Sequence, residues 1–371
     1  MSAAELLPGI EHHPHARALL VPALPPGQSS HAYLFAGPAG AGKRTVARAF
    51  AAALIADGAP PESHAAERVA RGTHPDLTWV VPSGAAEMLV SDIDEAVVAA
   101  ATRTPFEARR RVFVIERAET MGESTANRML KTLEEPPEFV HLILLSARPG
   151  EVVETVASRC QLVRFEAPST EQLARSLEHQ GVAPETAEAC ARLALGDAER
   201  AAALAFGDGA ALRAAAERYA TSALRGELGD RPWAALLELA DKAGTTATTE
   251  LDAAHAADLE LLPRAERARS EREHADRVKR AARRHAHTTL DLGLATAGLW
   301  YRDAASLAIG ADELIHATDR RAELAVLATE QRAARLQLAL ALVEDSREAL
   351  ALNVTEELAL EALAYRIAAL H

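Results

Sequence analysis

An apolar run, Ala32-Tyr33-Leu34-Phe35-Ala36, passes directly into Gly37-Pro-Ala-Gly-Ala-Gly-Lys43. This is the G-x-x-x-x-G-K spacing of a phosphate-binding loop, in which small residues let backbone N–H groups wrap an anion and a lysine reaches the terminal phosphates. Such a loop works only between a buried strand and the N-terminus of a helix, whose dipole also favours an anion. It therefore predicts an α/β core with a parallel sheet. Four more short apolar runs agree, at 77–81, 111–116, 141–147 and 160–166, separated by helical patterns at 43–56, 92–103, 123–134 and 151–158. Strands alternating with helices place helices on both faces of the sheet.

From Pro168 the pattern changes to alanine-rich helical periodicity that continues to the C-terminus. The expected organisation is a P-loop core over 1–168, a small all-α unit over 169–208 capped by Ser169 or Thr170, and a larger all-α block over 209–371. Gly207-Asp-Gly209 reads as a hinge between the last two. Asn353-Val-Thr-Glu356 suits a capping box, and Leu360, Leu363, Ile367 and Leu370 share one helical face.

The chemistry expected of such a loop is incomplete. The hydroxyl that should follow the lysine and hold magnesium is Arg44, and Thr45 sits one position late, about 100° round the helix. The second strand, Val112-Phe-Val-Ile115, runs into Glu116-Arg117 where paired acids would hold the cation and polarise water. Glu116 offers a longer arm for the cation. Arg117 stays charged and accepts no proton. Glu119 is the remaining acid, and a short turn after a strand would aim it away. Gly37, Gly40, Gly42 and Lys43 still allow a nucleotide. The lost hydroxyl and base count against tight magnesium-dependent binding and against turnover.

Composition narrows the classes. The net charge of −13 argues against a free-standing nucleic-acid binder. Cys160 and Cys190 are the only cysteines, which excludes a disulfide framework and any Cys-x-x-Cys zinc site. No apolar stretch approaches the ~20 residues of a membrane span, so a cytoplasmic protein is expected. A run at 264–285 carries Arg264, Arg267, Arg269, Arg272, Arg277, Lys279, Arg280, Arg283 and Arg284 among acids. It is either a nucleic-acid patch or, as mixed-sign runs more often are, the solvated face of a long helix. The early His12, His13 and His15 read as an exposed loop. Arg159, within Ser158-Arg-Cys160, is by local sequence either a surface ion pair or a finger offered to a neighbouring nucleotide site.

The segments in order are His31-Ala-Tyr-Leu-Phe-Ala-Gly-Pro38, the loop to Lys43, His74-Pro-Asp76, Arg111-Val-Phe-Val-Ile-Glu-Arg-Ala-Glu119, Asn127-Arg-Met-Leu-Lys-Thr-Leu-Glu-Glu-Pro-Pro137 and Ser158-Arg-Cys160. Together they resemble the delta-prime family of bacterial DNA polymerase III clamp-loader subunits, within the AAA+ superfamily. Leu130 to Pro137 and Ser158 to Cys160 are the most specific pieces, and the likeness is good over about 1–205. The resemblance implies a stator in a hetero-oligomeric ring that turns over no ATP itself, with 169–208 as a helical lid and 209–371 as a helical collar that joins the ring. It also implies tau/gamma motor and delta subunits as partners, with the sliding clamp and primed DNA met through the complex. Arg159 would be the catalytic finger acting in trans, Ser146 and Arg200 would lie in the sensor regions, and Lys131 would be a phosphate contact to DNA. The family's cysteine zinc module is missing from 57–73, so no zinc is expected, and His64 and His74 do not make a four-ligand set. No cofactor is required by this reading. The competing readings are an active tau/gamma-like motor using Thr45 with Glu116 or Glu119, and a DNA-binding module acting through 264–285.

Overall fold

The computed structural model describes the backbone of residues 7, 9–10, 13–25, 27–56, 68–69, 72, 74–82, 87–261, 264–330, 332–351 and 354–370. Side chains are described over the same residues except 250, 254, 257–261, 264–270, 272–273, 276–277, 280, 330 and 351. His12, His64 and Asn353 lie outside the described residues. The chain forms two compact units, residues 1–172 with 196–199, and residues 173–195 with 200–371. The segment expected as a lid, 169–208, is divided between them.

In the first unit α1 (Pro14–Leu20) precedes β1 (Ala32–Ala36) and α2 (Lys43–Ala56). After β2 (Leu77–Val80) come α3 (Val90–Ile93), a π-helical stretch over Asp94–Val98, and α4 (Ala99–Ala101). Then follow β3 (Arg111–Ile115), α5 (Glu123–Glu134), β4 (Val140–Ser146), α6 (Glu154–Ala157) and β5 (Gln161–Arg164). The strands run parallel in the order β2-β3-β4-β1-β5.

Alternation along each strand feeds two cores, because successive side chains point to opposite faces. Tyr33, Phe35, Val112, Val114, Ile143 and Leu145 pack with Val46, Phe50 and Leu54 of α2. Leu34, Phe113, Ile115, Leu142 and Leu144 pack on the other face with Ile93, Val97, Met129 and Leu133. The helix expected from residue 92 begins two residues earlier, where the Leu89 N–H donates to Asp92 Oδ2 at 3.0 Å. The one expected over 151–158 is reduced to Glu154–Ala157, since Val152 and Val153 stay extended and Val152 is buried. His13 is not in an exposed loop: it is buried against Phe165, and His15 Nδ1 accepts the Arg164 N–H at 3.0 Å.

The His74-Pro-Asp76 segment is a structural clamp. The Asp76 carboxylate is fully buried and accepts the backbone N–H groups of Phe106, Glu107 and Ala108 at 2.6, 2.9 and 2.9 Å. Its own N–H donates to His74 Nδ1 at 3.1 Å. This fixes the loop that enters β3.

The remaining helices are α7 (Thr170–His179), α8 (Pro184–Leu193), α9 (Ala198–Ala205), α10 (Gly209–Arg225), α11 (Ala234–Leu261), α12 (Arg264–Ala308), α13 (Arg321–Glu330), α14 (Ala333–Ala351) and α15 (Glu356–Ala368). Ser169 is the cap of α7: the Gln172 N–H donates to Ser169 Oγ at 3.2 Å, and the Ser169 N–H donates to Gln172 Oε1 at 2.8 Å. That is a reciprocal capping box. In the second unit Tyr219 and Tyr301 are fully buried, with hydroxyls donating to the carbonyls of Leu360 and Ala220 at 2.8 and 2.9 Å. Leu360, Leu363 and Ile367 are buried as their spacing predicted, while Leu370 is only half-buried. Thr355, not Asn353, precedes the first turn of α15, with no side-chain cap. Of the cations in 264–285, Lys279, Arg283 and Arg284 have described side chains, and all three are exposed.

Candidate functional site

Parallel strands bring their C-terminal ends to one edge of the sheet, and there the loop after β1 meets the ends of β3 and β4. The register pairs Ala36 with Ser146, and the Gly37 N–H donates to the Ser146 carbonyl at 3.2 Å. Gly40 takes φ +68°, a left-handed conformation in which a side chain is strained. Around this edge lies a cleft of about 210 Å³, below the roughly 300–1,000 Å³ usual for ligand pockets. Gly40, Gly42, Lys43, Glu116 and Ser146 all line it. Thr45 does not: it is exposed and sits beside Gly9.

Each group meant for phosphate or metal is held by the protein itself. Lys43 is buried and donates from Nζ to the carbonyls of Gly37 and Pro38 at 2.6 and 2.5 Å. Burial holds its pKa below the ordinary lysine value, against the opposing pull of Glu119, Glu199 and Asp197. Arg44 reaches across to the end of β3, where its Nη2 donates to Glu116 Oε2. The other carboxylate oxygen of Glu116 accepts the Trp79 indole N–H at 2.7 Å. The residue replacing the hydroxyl and the residue expected to mimic the cation-binding acid are thus partners. A guanidinium fills the role a divalent cation would have beside Glu116. The donor set does not suit magnesium: Arg44 replaces the hydroxyl, and both carboxylate oxygens already accept hydrogen bonds.

Acids crowd the same cleft. Asp197 lies directly over the loop, so close that a Cβ on Gly40 would sit 1.9 Å from its Cγ. The following N–H, of Ala198, donates to the Gly40 carbonyl at 3.0 Å. Glu199 lies 3.7 Å from Arg44 Nη1. Glu119 also lines the cleft, contrary to the expectation that it would aim away. The reason is Arg117, which adopts φ 52°, ψ 48° and turns the chain into a 3₁₀ turn over Ala118–Thr120. Four carboxylates, Glu116, Glu119, Asp197 and Glu199, therefore face three cations, Lys43, Arg44 and Arg117. A polyphosphate entering the loop would meet Asp197 directly over Gly40.

The other predicted residues lie elsewhere. Arg159 follows α6 and does not line the cleft. Its Nη2 is 2.5 Å from Glu134 Oε1, and its Nη1 donates to the Thr155 carbonyl at 2.8 Å. Lys131 is exposed on α5. Arg200 belongs to the second unit, whereas buried Ser146 accepts the Arg148 N–H at 3.1 Å on its hydroxyl. Cys160 is half-buried and packs against the core on one face of the sheet, and burial pushes its thiol pKa up to about 12. Sequence reasoning missed Trp79, Asp197 and Glu199. Asp197 and Glu199 reach the cleft only through the fold, and Trp79 acts from outside its lining by holding Glu116.

Known proteins agree with this core. Residues 12–169 match the family described as DNA polymerase III, delta subunit. The chain is 38% identical over 159 residues to DNA polymerase III subunit delta' of Pseudomonas aeruginosa, covering 40% of this chain and 48% of that one. It is 30% identical over 187 residues to subunit delta' of Bacillus subtilis, covering 49% of this chain and 56% of that one. Subunit tau of Bacillus subtilis is 34% identical over 157 residues, covering 41% of this chain and 27% of that one. The chain spans about half the length of the delta' relatives it matches. Residues 12–169, the α/β core of this chain, are thus similar to DNA polymerase III subunits, with delta' subunits among the relatives at 30–38% identity.

Proposed function

We propose that this chain is a non-hydrolysing stator of the DNA polymerase III clamp loader. In this reading it lends Arg159 to the ATP site of an adjacent motor subunit and helps place the sliding clamp on primed DNA during replication. The observation that carries the reading is the ion pair between Arg44 and Glu116. It puts one positive side chain in the cation's role, while Arg117 stands where a water-polarising acid would be needed. Phosphoryl transfer rests on positioning and charge stabilisation by a metal and oriented donors, and here Lys43 and Arg44 are engaged by the protein's own carbonyls and carboxylate. The chain itself then needs no nucleotide, magnesium or zinc. The chain would serve as a support to which motor and delta subunits attach.

The tau relative supports a second reading, an ATP-driven motor, with Glu119 in the cleft as the acid that activates water. Two measurements separate them. The purified chain with ATP, magnesium and primed DNA shows no turnover if it is a stator, and ~1 s⁻¹, an ordinary enzymatic rate, if it is a motor. In the reconstituted loader, Arg159→Ala lowers DNA-stimulated turnover by roughly 10³-fold or more, as loss of an arginine finger does. An undiminished rate in an intact complex would remove the finger assignment.

A further inference from the structure

We propose that Glu134 is the positioning residue for Arg159, orienting its guanidinium toward a neighbour's phosphates; the role rests on the finger reading above. Two anchors hold the guanidinium, on different nitrogens and from different elements. Thr155, one turn back on α6, takes Nη1 through its carbonyl at 2.8 Å, and Glu134, in the last turn of α5, takes Nη2 at 2.5 Å. The first contact is local. The second spans 25 residues of sequence and exists because α5 is fixed on the sheet through buried Ala126, Met129 and Leu133.

A guanidinium carries five N–H donors in a rigid plane. These two contacts engage two of them and leave three to meet phosphate oxygens. The Arg159 side chain keeps 34% of its surface exposed and the Glu134 side chain 50%, so the group is held yet reachable. A pair this exposed adds little to folding stability. What it does accomplish is order: an untethered arginine has many rotamers to lose on engaging a transition state, and Glu134 removes that freedom in the resting subunit. Productive geometry of this kind acts on the chemical step and not on ATP binding next door.

The test uses the reconstituted clamp loader containing this full chain, with DNA-stimulated ATP turnover as the readout. Glu134→Ala is expected to lower kcat by roughly three- to tenfold with KM for ATP unchanged. Glu134→Gln, which still accepts a hydrogen bond, recovers most of the rate, and the melting temperature of the free chain stays the same in both. In an Arg159→Ala background, Glu134→Ala has no further effect. Wild-type kcat for Glu134→Ala beside a collapsed Arg159→Ala overturns the positioning role and leaves the finger standing. An increased kcat, or an equal loss in the Arg159→Ala background, also overturns it, since Glu134 would then restrain the finger or act elsewhere. A normal rate for Arg159→Ala removes the finger itself.

Discussion

The Arg44–Glu116 pair is open to a double-mutant cycle on stability. Glu116 is nearly buried, with 8% of its side chain exposed, whereas Arg44 keeps 54%. Fully exposed pairs couple by about 0.2–1 kcal/mol, and breaking a fully buried pair costs about 3–5 kcal/mol. One buried partner and one half-exposed partner place the coupling at about 1–2 kcal/mol. Arg44→Ala is the more damaging single change, at about 1–3 kcal/mol, because the buried carboxylate keeps only the Trp79 indole as a charge-assisted donor. Glu116→Gln should cost less, at about 0.5–1 kcal/mol, since the amide oxygen still accepts from Trp79 and Arg44 retains water and Glu199. Adding Glu116→Gln to Arg44→Ala should then be nearly neutral or mildly stabilising, because no unpaired buried charge remains. For a unit of this size each kcal/mol moves Tm by about 2–4 °C, so calorimetric melting of the four proteins resolves the coupling. A cycle that closes within about 0.3 kcal/mol of zero would show that the two residues do not act together. The Arg44 guanidinium would then not stand in for a cation at Glu116.

Two further outcomes follow from buried groups outside the cleft. Burial pushes the Asp76 carboxyl up, but the N–H groups of Ala108, Glu107 and Phe106, with Arg111 nearby, outweigh it and hold the group below the ordinary aspartate value. Its stabilisation is therefore present above the unfolded value near 3.9 and is lost as pH falls through the folded one. Asp76→Asn should cost about 2–4 kcal/mol at pH 7 and progressively less below about pH 4, as read by urea unfolding at both pH values; a constant difference would contradict it. Cys160, held as a thiol by burial, should react with iodoacetamide at pH 8 roughly a thousandfold more slowly than a free cysteine, measured by mass spectrometry on the native chain.

Local sequence determined a great deal. Tyr33 and Phe35 against Leu34, or Val112 and Val114 against Phe113 and Ile115, carry the period of two that makes a sheet buried on both faces. The glycines and Lys43 marked the strand-to-helix turn, and Leu360, Leu363 and Ile367 marked a buried helical face. These are properties of neighbours a few residues apart, set by the geometry of one strand or one helix. The site required more. Arg44 and Glu116 are 72 residues apart, Gly40 and Asp197 further still, and Arg159 meets Glu134 across two elements. Sequence could note Arg44 and Arg117 as two separate losses of function. Only the strand order β2-β3-β4-β1-β5, which brings the ends of β1, β3 and β4 to one edge, made Arg44 the partner of Glu116. Periodicity is written along the chain, while charge pairing depends on which distant ends the sheet sets side by side.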